Sequence, residues 1–233
     1  MNYSNKNMLL SVLIPAYNEI NNIENILKKI EEIDIPKEII VVDDGSTDGT
    51  RDLLNKLKSD TIKVIFHEKN QGKGGAIRTA INHSTGNIII IQDADLEYDP
   101  HDYYKLIPEV ANGKTKVVYG SRFLNKQNKH SYFSFFLGGQ VVTWITNILY
   151  GQNLTDEPTC YKVFEATLLK SIKLNCTGFE FCPEVTAKVA KLGYKIPEIP
   201  INYYPRSISE GKKINWKDGV EAIWVLLKYR FVD

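Results

Sequence analysis

The segment Glu38–Asp48 reads EIIVVDDGSTD: four consecutive β-branched apolar residues run into a pair of acids and then into turn chemistry. A strand that is apolar at successive positions is buried on both faces, the condition of a parallel strand covered by helices on either side. Ser46, Thr47 and Asp48 supply side-chain oxygens for a helix N-terminus, so a helix is expected through Leu57. The same unit recurs in both directions. Upstream, Met8–Ile14 is an apolar run closed by Pro15, and Asn18–Ile33 carries Ile23, Ile26, Leu27 and Ile30 at helical spacing. Downstream, Ile62–His67 and Asn87–Gln92 read as strands with a helix at Gly75–His83 between them. A helix after Pro100 and a strand at Lys116–Gly120 complete the series. Strands alternating with amphipathic helices give an α/β architecture whose ligands sit beyond the carboxyl ends of the strands.

The 233 residues suffice for one large domain with a substantial core. Lys plus Arg number 29 and Asp plus Glu 28, a net charge of +1, which argues against a protein that works by binding nucleic acid. Cys160, Cys176 and Cys182 form no CxxC pair and are expected to be reduced thiols in a cytoplasmic setting. No signal-peptide pattern and no run of about 20 apolar residues is present, so neither a leader nor a spanning helix is expected.

On this topology three strand ends fall along one rim: Pro15-Ala16-Tyr17-Asn18-Glu19, Asp43-Asp44-Gly45-Ser46 and Asp93-Ala94-Asp95. Five carboxylates are therefore expected to face one crevice, where like charges raise one another's pKa and a cation would offset them. Acids at alternate positions just past a strand, Asp93 and Asp95, suit a hard divalent ion that takes oxygen ligands and bridges phosphates. Glu97 is a third candidate ligand. Ordinary turn chemistry is the competing reading, and it suits Asp48 and Asp99 better than the pair behind four isoleucines. Gly72-Lys73-Gly74-Gly75 is no Walker A loop, because no Ser or Thr follows Lys73, and no dinucleotide fingerprint, because Ile77 stands where a third glycine would. It reads as a close approach of backbone to ligand or as a plain loop cluster.

PAYNE after the first strand, VVDDGSTDGT after the second, NQGKGGAIRTA after the third and QDADLEYDP after the fourth resemble the family 2 glycosyltransferases of the GT-A fold. GSRF at Gly120–Phe123 and the later PINYYPRS resemble the dolichol- and polyprenol-phosphate mannosyltransferases within it. The resemblance implies a mostly parallel central sheet with helices on both faces, in a single domain over 1–233. Residues 1–125 would form the nucleotide-sugar-binding half and 126–233 the acceptor, lipid-facing half, with no membrane-spanning tail. It implies that Pro15, Tyr17 and Glu19 line the nucleotide pocket with Tyr17 near the ring, and that Asp44 holds the base or ribose with Val42 beneath. Asp93, Ala94 and Asp95 would be the DxD element holding Mg2+ or Mn2+ against the donor diphosphate. Glu97 stands where the mannosyltransferases often carry Gln. Arg122, Arg206 and Lys212 resemble the basic residues that meet the donor and acceptor phosphates, with Lys213 competing for the last of these roles.

From Ser131 to Thr155 there is no formal charge. Gln140, Thr143 and Asn147 share one helical face, while Val141, Val142, Ile145 and Leu149 lie toward the other. A helix lying in a membrane interface, anchored by Phe133, Phe135, Phe136 and Trp144, is one reading; a helix closing the core or a homodimer contact is the other. Asp156 and Glu157 are either a turn ahead of Pro158 or the catalytic base that a hydroxyl acceptor requires. The expected protein is thus a metal-dependent, inverting glycosyltransferase at the cytoplasmic face of a membrane. It would move a hexose, foremost mannose from GDP-mannose, onto a polyprenyl phosphate. The alternatives are UDP-glucose or another UDP-sugar as donor, a sugar hydroxyl as acceptor, or a nucleotide-sugar-binding module without turnover.

Overall fold

The computed structural model describes residues 8–129, 133–206 and 216–232, with 133–135 described through the backbone only. The first half repeats the strand–helix unit: β1 (Leu10–Ala16), α1 (Ile23–Glu31), β2 (Lys37–Asp43), α2 (Thr50–Leu57), β3 (Ile62–Phe66), α3 (Gly72–His83) and β4 (Ile88–Ile91). A 3-10 turn at Pro100–Asp102 leads into α4 (Tyr103–Ala111) and β5 (Val117–Ser121). The second half comprises α5 (Phe133–Tyr150), β6 (Lys162–Glu165), α6 (Ala166–Ser171), α7 (Phe181–Lys191), β7 (Glu198–Pro200) and α8 (Trp216–Phe231).

The seven strands form one sheet in the order β3-β2-β1-β4-β6-β5-β7. β1, β2, β3 and β4 pair in parallel, as their doubly apolar sequences require. Ile39–Val42 and Ile88–Ile91 are buried, and each such side chain contributes about 1.5–3 kcal/mol through loss of contact with water. The strand at Val117–Ser121 departs from the expected series. It does not join β4; β6 lies between them and runs antiparallel to both. β6 is Lys-Val-Phe-Glu, too short and too polar at its ends to stand out as a buried strand.

Helix starts also differ from expectation, because residues with capping chemistry tie one loop to another. Asn18 adopts φ +51°, its backbone N–H donates to Ser46 Oγ at 2.9 Å, and its Oδ1 accepts from the Thr47 N–H at 2.8 Å. PAYNE and DGST are thereby stitched together at the rim, and α1 begins only at Ile23. Asp48 lies just before Gly49, the N-cap of α2, and accepts from the Thr50 N–H at 3.0 Å.

In α5 the polar face points inward. Thr143 and Thr146 are buried, Gln140 donates to the Thr155 carbonyl, and Asn147 bonds the backbone of Leu154 in both directions. Val142 joins Ala187, Val225, Leu226 and Tyr229 in a small core where α5, α7 and α8 meet. Leu137, Val141, Trp144 and Ile148 are left exposed. Among the described residues no helix is long and apolar enough to cross a membrane.

Candidate active site

The carboxyl ends of β1, β2 and β4 border a cleft of about 410 Å3, lined by Pro15, Tyr17, Glu19, Asp44, Asp93, Ala94, Asp95 and Glu97. Arg122 and Arg206 line it as well. Two expected members do not reach it. Val42 is wholly buried in the core between β1 and β3. Asp43 turns to the opposite side, where Arg51 Nε bonds it at 2.9 Å, because successive strand residues face opposite ways. Lys212 and Lys213, with the side chains of Phe133 and Phe135, lie outside the described residues.

Asp44 lines the cleft, yet its carboxylate is already engaged. Oδ1 lies 2.7 Å from His67 Nδ1 and accepts from the Gln71 N–H at 2.8 Å, while Oδ2 accepts from the Gly72 N–H at 2.8 Å. It holds the turn before α3, a task in addition to any contact with base or ribose.

The acids after β4 meet cations from two distant segments. Lys73 Nζ is 2.5 Å from Asp93 Oδ1. Arg206 reaches Asp95 Oδ2 at 2.5 Å, Glu19 Oε2 at 3.4 Å and Glu97 Oε1 at 3.8 Å, and its backbone N–H donates to Glu97 at 2.8 Å. Tyr203 donates to the other Glu97 oxygen at 3.1 Å. Burial and the neighbouring Asp93 and Glu97 push the Asp95 carboxyl up to about 7, against the opposing pull of Arg206. Among the described residues no three acidic, His or Cys side chains stand as a ready-made metal cage. The donor set fits a hard divalent cation all the same. Asp93, Asp95 and Glu97 are oxygen donors in an anion-crowded cleft, and Mg2+ characteristically takes one or two carboxylates and completes its shell with water and phosphate.

Arg122 is bound to Asp156 through three contacts: the backbone N–H at 2.9 Å, Nε at 2.7 Å and Nη2 at 2.6 Å. Asp156 has no exposed surface. Glu157 is equally enclosed, accepts from Thr186 Oγ1 at 2.9 Å, and has its carboxyl pKa raised by burial. Both carboxylates are enclosed, Asp156 against Arg122 and Glu157 against Thr186, and Glu157 also borders the neighbouring apolar cavity.

Several site residues escaped the sequence reading. Lys73 is the foremost; its signal was a lysine on the strand-end rim, obscured by comparison with phosphate-binding loops that this stretch does not match. The close backbone approach expected of its glycines is made to another loop: Gly74 and Gly75 N–H groups donate to the carbonyls of Gly178 and Thr177, both at 3.0 Å. Phe179 faces the cleft rather than the core, joined by Cys160, Tyr98 and Tyr203. Tyr98, Cys160 and Tyr203 lie outside the helices and named strands, where no periodicity marks them, and Phe179 lies just before α7.

Comparison with known proteins agrees with this geometry. Residues 11–172 match the family model described as glycosyl transferase family 2. The UDP-N-acetylglucosamine--dolichyl-phosphate N-acetylglucosaminyltransferase of Methanococcus voltae is 29% identical, over 94% of this chain and 95% of its own length. The undecaprenyl-phosphate mannosyltransferase of Micrococcus luteus is 27% identical, over 88% and 87%. The dolichol-phosphate mannosyltransferase of Pyrococcus furiosus is 28% identical over 88% of this chain, which spans 59% of that protein's length. Among solved structures, glucosyl-3-phosphoglycerate synthase from Mycobacterium tuberculosis superposes with a TM-score of 0.74 at 20% identity, covering 97% of this chain and 82% of that one. That likeness establishes the fold as GT-A. The family match spans six of the seven strands, the acid-bearing strand ends and the loop that carries Lys73, and on that ground the chain belongs to glycosyl transferase family 2.

Proposed function

We propose that this glycosyltransferase moves a hexose, foremost mannose from GDP-mannose, onto a polyprenyl phosphate while docked on a membrane surface. One observation carries the reading: the acidic cleft adjoins an apolar chamber of about 520 Å3, and Lys73, Arg122, Phe179 and Tyr203 line both. Beyond that seam the chamber walls are Phe123, Phe136, Val142, Pro183 and Ile223. An anionic head on a hydrocarbon chain matches cations at the seam and apolar walls behind them.

The exposed faces of α5 and α8 support a membrane partner. Trp144 is 65% exposed on α5, and α8 exposes Trp216, Val220, Trp224, Leu227 and Phe231. Leu137, Val141, Trp216 and Val220 also line the chamber, so both stripes border its wall. Aromatic residues in such positions suit the headgroup boundary of a bilayer.

A phosphate acceptor needs no general base, in keeping with the enclosure of Asp156 and Glu157. A phosphate oxygen forms the bond to C1 of the sugar as the bond from C1 to the donor diphosphate breaks, inverting that carbon. Lys73 and Arg206 offset charge on the two anions, and Tyr17 borders the nucleotide end of the cleft. Asp93 and Asp95, with Glu97 beside them, would hold a divalent cation that stabilises the departing diphosphate.

A UDP-sugar donor is the second reading, favoured by the Methanococcus voltae relative, whose name specifies UDP-N-acetylglucosamine and which aligns over 94% of this chain. Incubating the protein with radiolabelled GDP-mannose, UDP-N-acetylglucosamine or UDP-glucose, with undecaprenyl phosphate and Mg2+ or Mn2+, tests both. Label entering the organic phase with one donor identifies it; label in none of them refutes the lipid acceptor.

A further inference from the structure

We propose that His67 is a positioning residue for the donor site: through Asp44 it holds the turn 70–72 in the conformation that aims Lys73 at Asp93. The inference rests on the reading that the cleft takes a nucleotide-diphosphate donor.

His67 follows β3 and is buried behind the cleft. Both ring nitrogens are engaged, Nδ1 at 2.7 Å from Asp44 Oδ1 and Nε2 at 3.0 Å from Thr79 Oγ1 on α3. A carboxylate only accepts, so Nδ1 carries the hydrogen in the contact with Asp44. Asp44 passes the constraint on. It takes the backbone N–H groups of Gln71 and Gly72, each at 2.8 Å, and its own carbonyl accepts from Asn70 Nδ2 at 3.1 Å. Gly72 sits at φ +82°, a left-handed conformation open to glycine.

The other side of the turn is fixed independently. Gly74 and Gly75 bond the carbonyls of Gly178 and Thr177, and Glu180 holds that loop by accepting from the Thr177 N–H at 2.6 Å and the Gly178 N–H at 2.8 Å. Lys73 is the residue between the two sets of ties, with Nζ 2.5 Å from Asp93 and 5.5 Å from the centre of the Phe179 ring. A lysine is a point charge on a flexible stem, so its aim depends on where its backbone is held. Without the imidazole N–H, the Asp44 carboxylate loses a side-chain donor that fixes its orientation and slackens its hold on the turn. Supporting contacts of this kind set how accurately a charged group meets its ligand.

Two substitutions separate this role from general packing. In His67→Asn the side-chain amide nitrogen takes the place of Nδ1 and keeps the bond to Asp44; in His67→Gln it takes the place of Nε2 and faces Thr79 instead. Amide hydrogen exchange at Gln71 and Gly72, with the slow amides of β1 and β4 as internal controls, is measured on the full chain together with binding of UDP and of GDP in Mg2+. We expect His67→Asn to stay within about twofold of wild type in both readouts, and His67→Gln to speed exchange at Gln71 and Gly72 by about tenfold and weaken nucleotide binding by about tenfold. On a Lys73→Ala background the Gln substitution should weaken nucleotide binding by less than about twofold, because its effect runs through Lys73. Asn and Gln variants that behave alike, or a Gln variant with unchanged exchange at Gln71 and Gly72, would overturn the proposal. If the wild type binds neither nucleotide, the donor reading fails, while the exchange pattern still decides whether His67 holds the turn.

Discussion

Arg206 lies 2.5 Å from Asp95, joining the loop after β7 to the end of β4 across 111 residues of chain. The contact places Arg206, at the end of the segment Tyr203–Arg206, over the acidic rim, so the two halves of the chain meet at one site. It also gives Asp95 its electrostatic setting: burial, two neighbouring acids and one guanidinium.

That setting makes stability depend on pH in a stated direction. The Asp95 carboxyl is raised from an ordinary value of 3.8 to about 7. Between those values the folded protein keeps a proton that the unfolded chain releases, so this contribution is full below 3.8 and is lost as pH rises through about 7. Asp95→Asn has no such loss. Its Tm relative to wild type should climb from pH 5 to pH 8 in thermal melts without divalent metal; a constant difference would show that Asp95 titrates normally.

Asp156 is enclosed against Arg122, and a structural acid differs from a catalytic base in a measurable way. Asp156→Ala leaves the Arg122 guanidinium facing a hole where it now has two side-chain bonds, and breaking a buried ion pair on one side costs about 3–5 kcal/mol. In a chain of this size that corresponds to a Tm lower by roughly 6–20 °C. A variant that melts with the wild type but has lost turnover would restore Asp156 as a base.

Gly72 should not tolerate a side chain. Its φ is +82°, and a Cβ there would run into the Thr177 carbonyl. Gly72→Ala is expected to lose about 1–3 kcal/mol of stability in urea titration, in line with the strain of an enforced left-handed residue. An unchanged midpoint would mean that the turn relaxes freely.

The exposed aromatic stripes make a prediction about membranes. Replacing Trp144, Trp224 and Phe231 by Ser should weaken flotation with anionic liposomes by at least roughly tenfold, since each removes a large apolar surface. Unchanged flotation, with a shift from dimer to monomer in sedimentation, would assign the face to a second copy of the chain instead.

Much of this was legible in the sequence because it rests on short-range patterns. The apolar runs at Ile39–Val42 and Ile88–Ile91 dictate buried parallel strands, and the acids that follow them fall on the rim by topology alone. What escaped was set by contacts between distant segments. β6 is a strand because β4 and β5 offer it edges, and nothing in Lys-Val-Phe-Glu demands one. Asp43 and Asp44 are identical side by side in the sequence, and only the pleat sends one to Arg51 and the other to the cleft. In α5 the periodicity put Gln140, Thr143 and Asn147 on one face without saying which way it points, and the bonds of Gln140 and Asn147 to the 154–155 backbone turn it inward.

The most direct test of the central claim is transfer of radiolabelled sugar to undecaprenyl phosphate by the purified wild-type chain and by Asp95→Ala and Lys73→Ala, each with and without Mn2+. Metal-dependent label is expected in the organic phase with wild type, with a loss of at least roughly a hundredfold in kcat/KM for each variant, equivalent to about 2.7 kcal/mol of transition-state stabilisation. Transfer that persists near the wild-type rate in Asp95→Ala, or label that appears only on water-soluble acceptors, would contradict it.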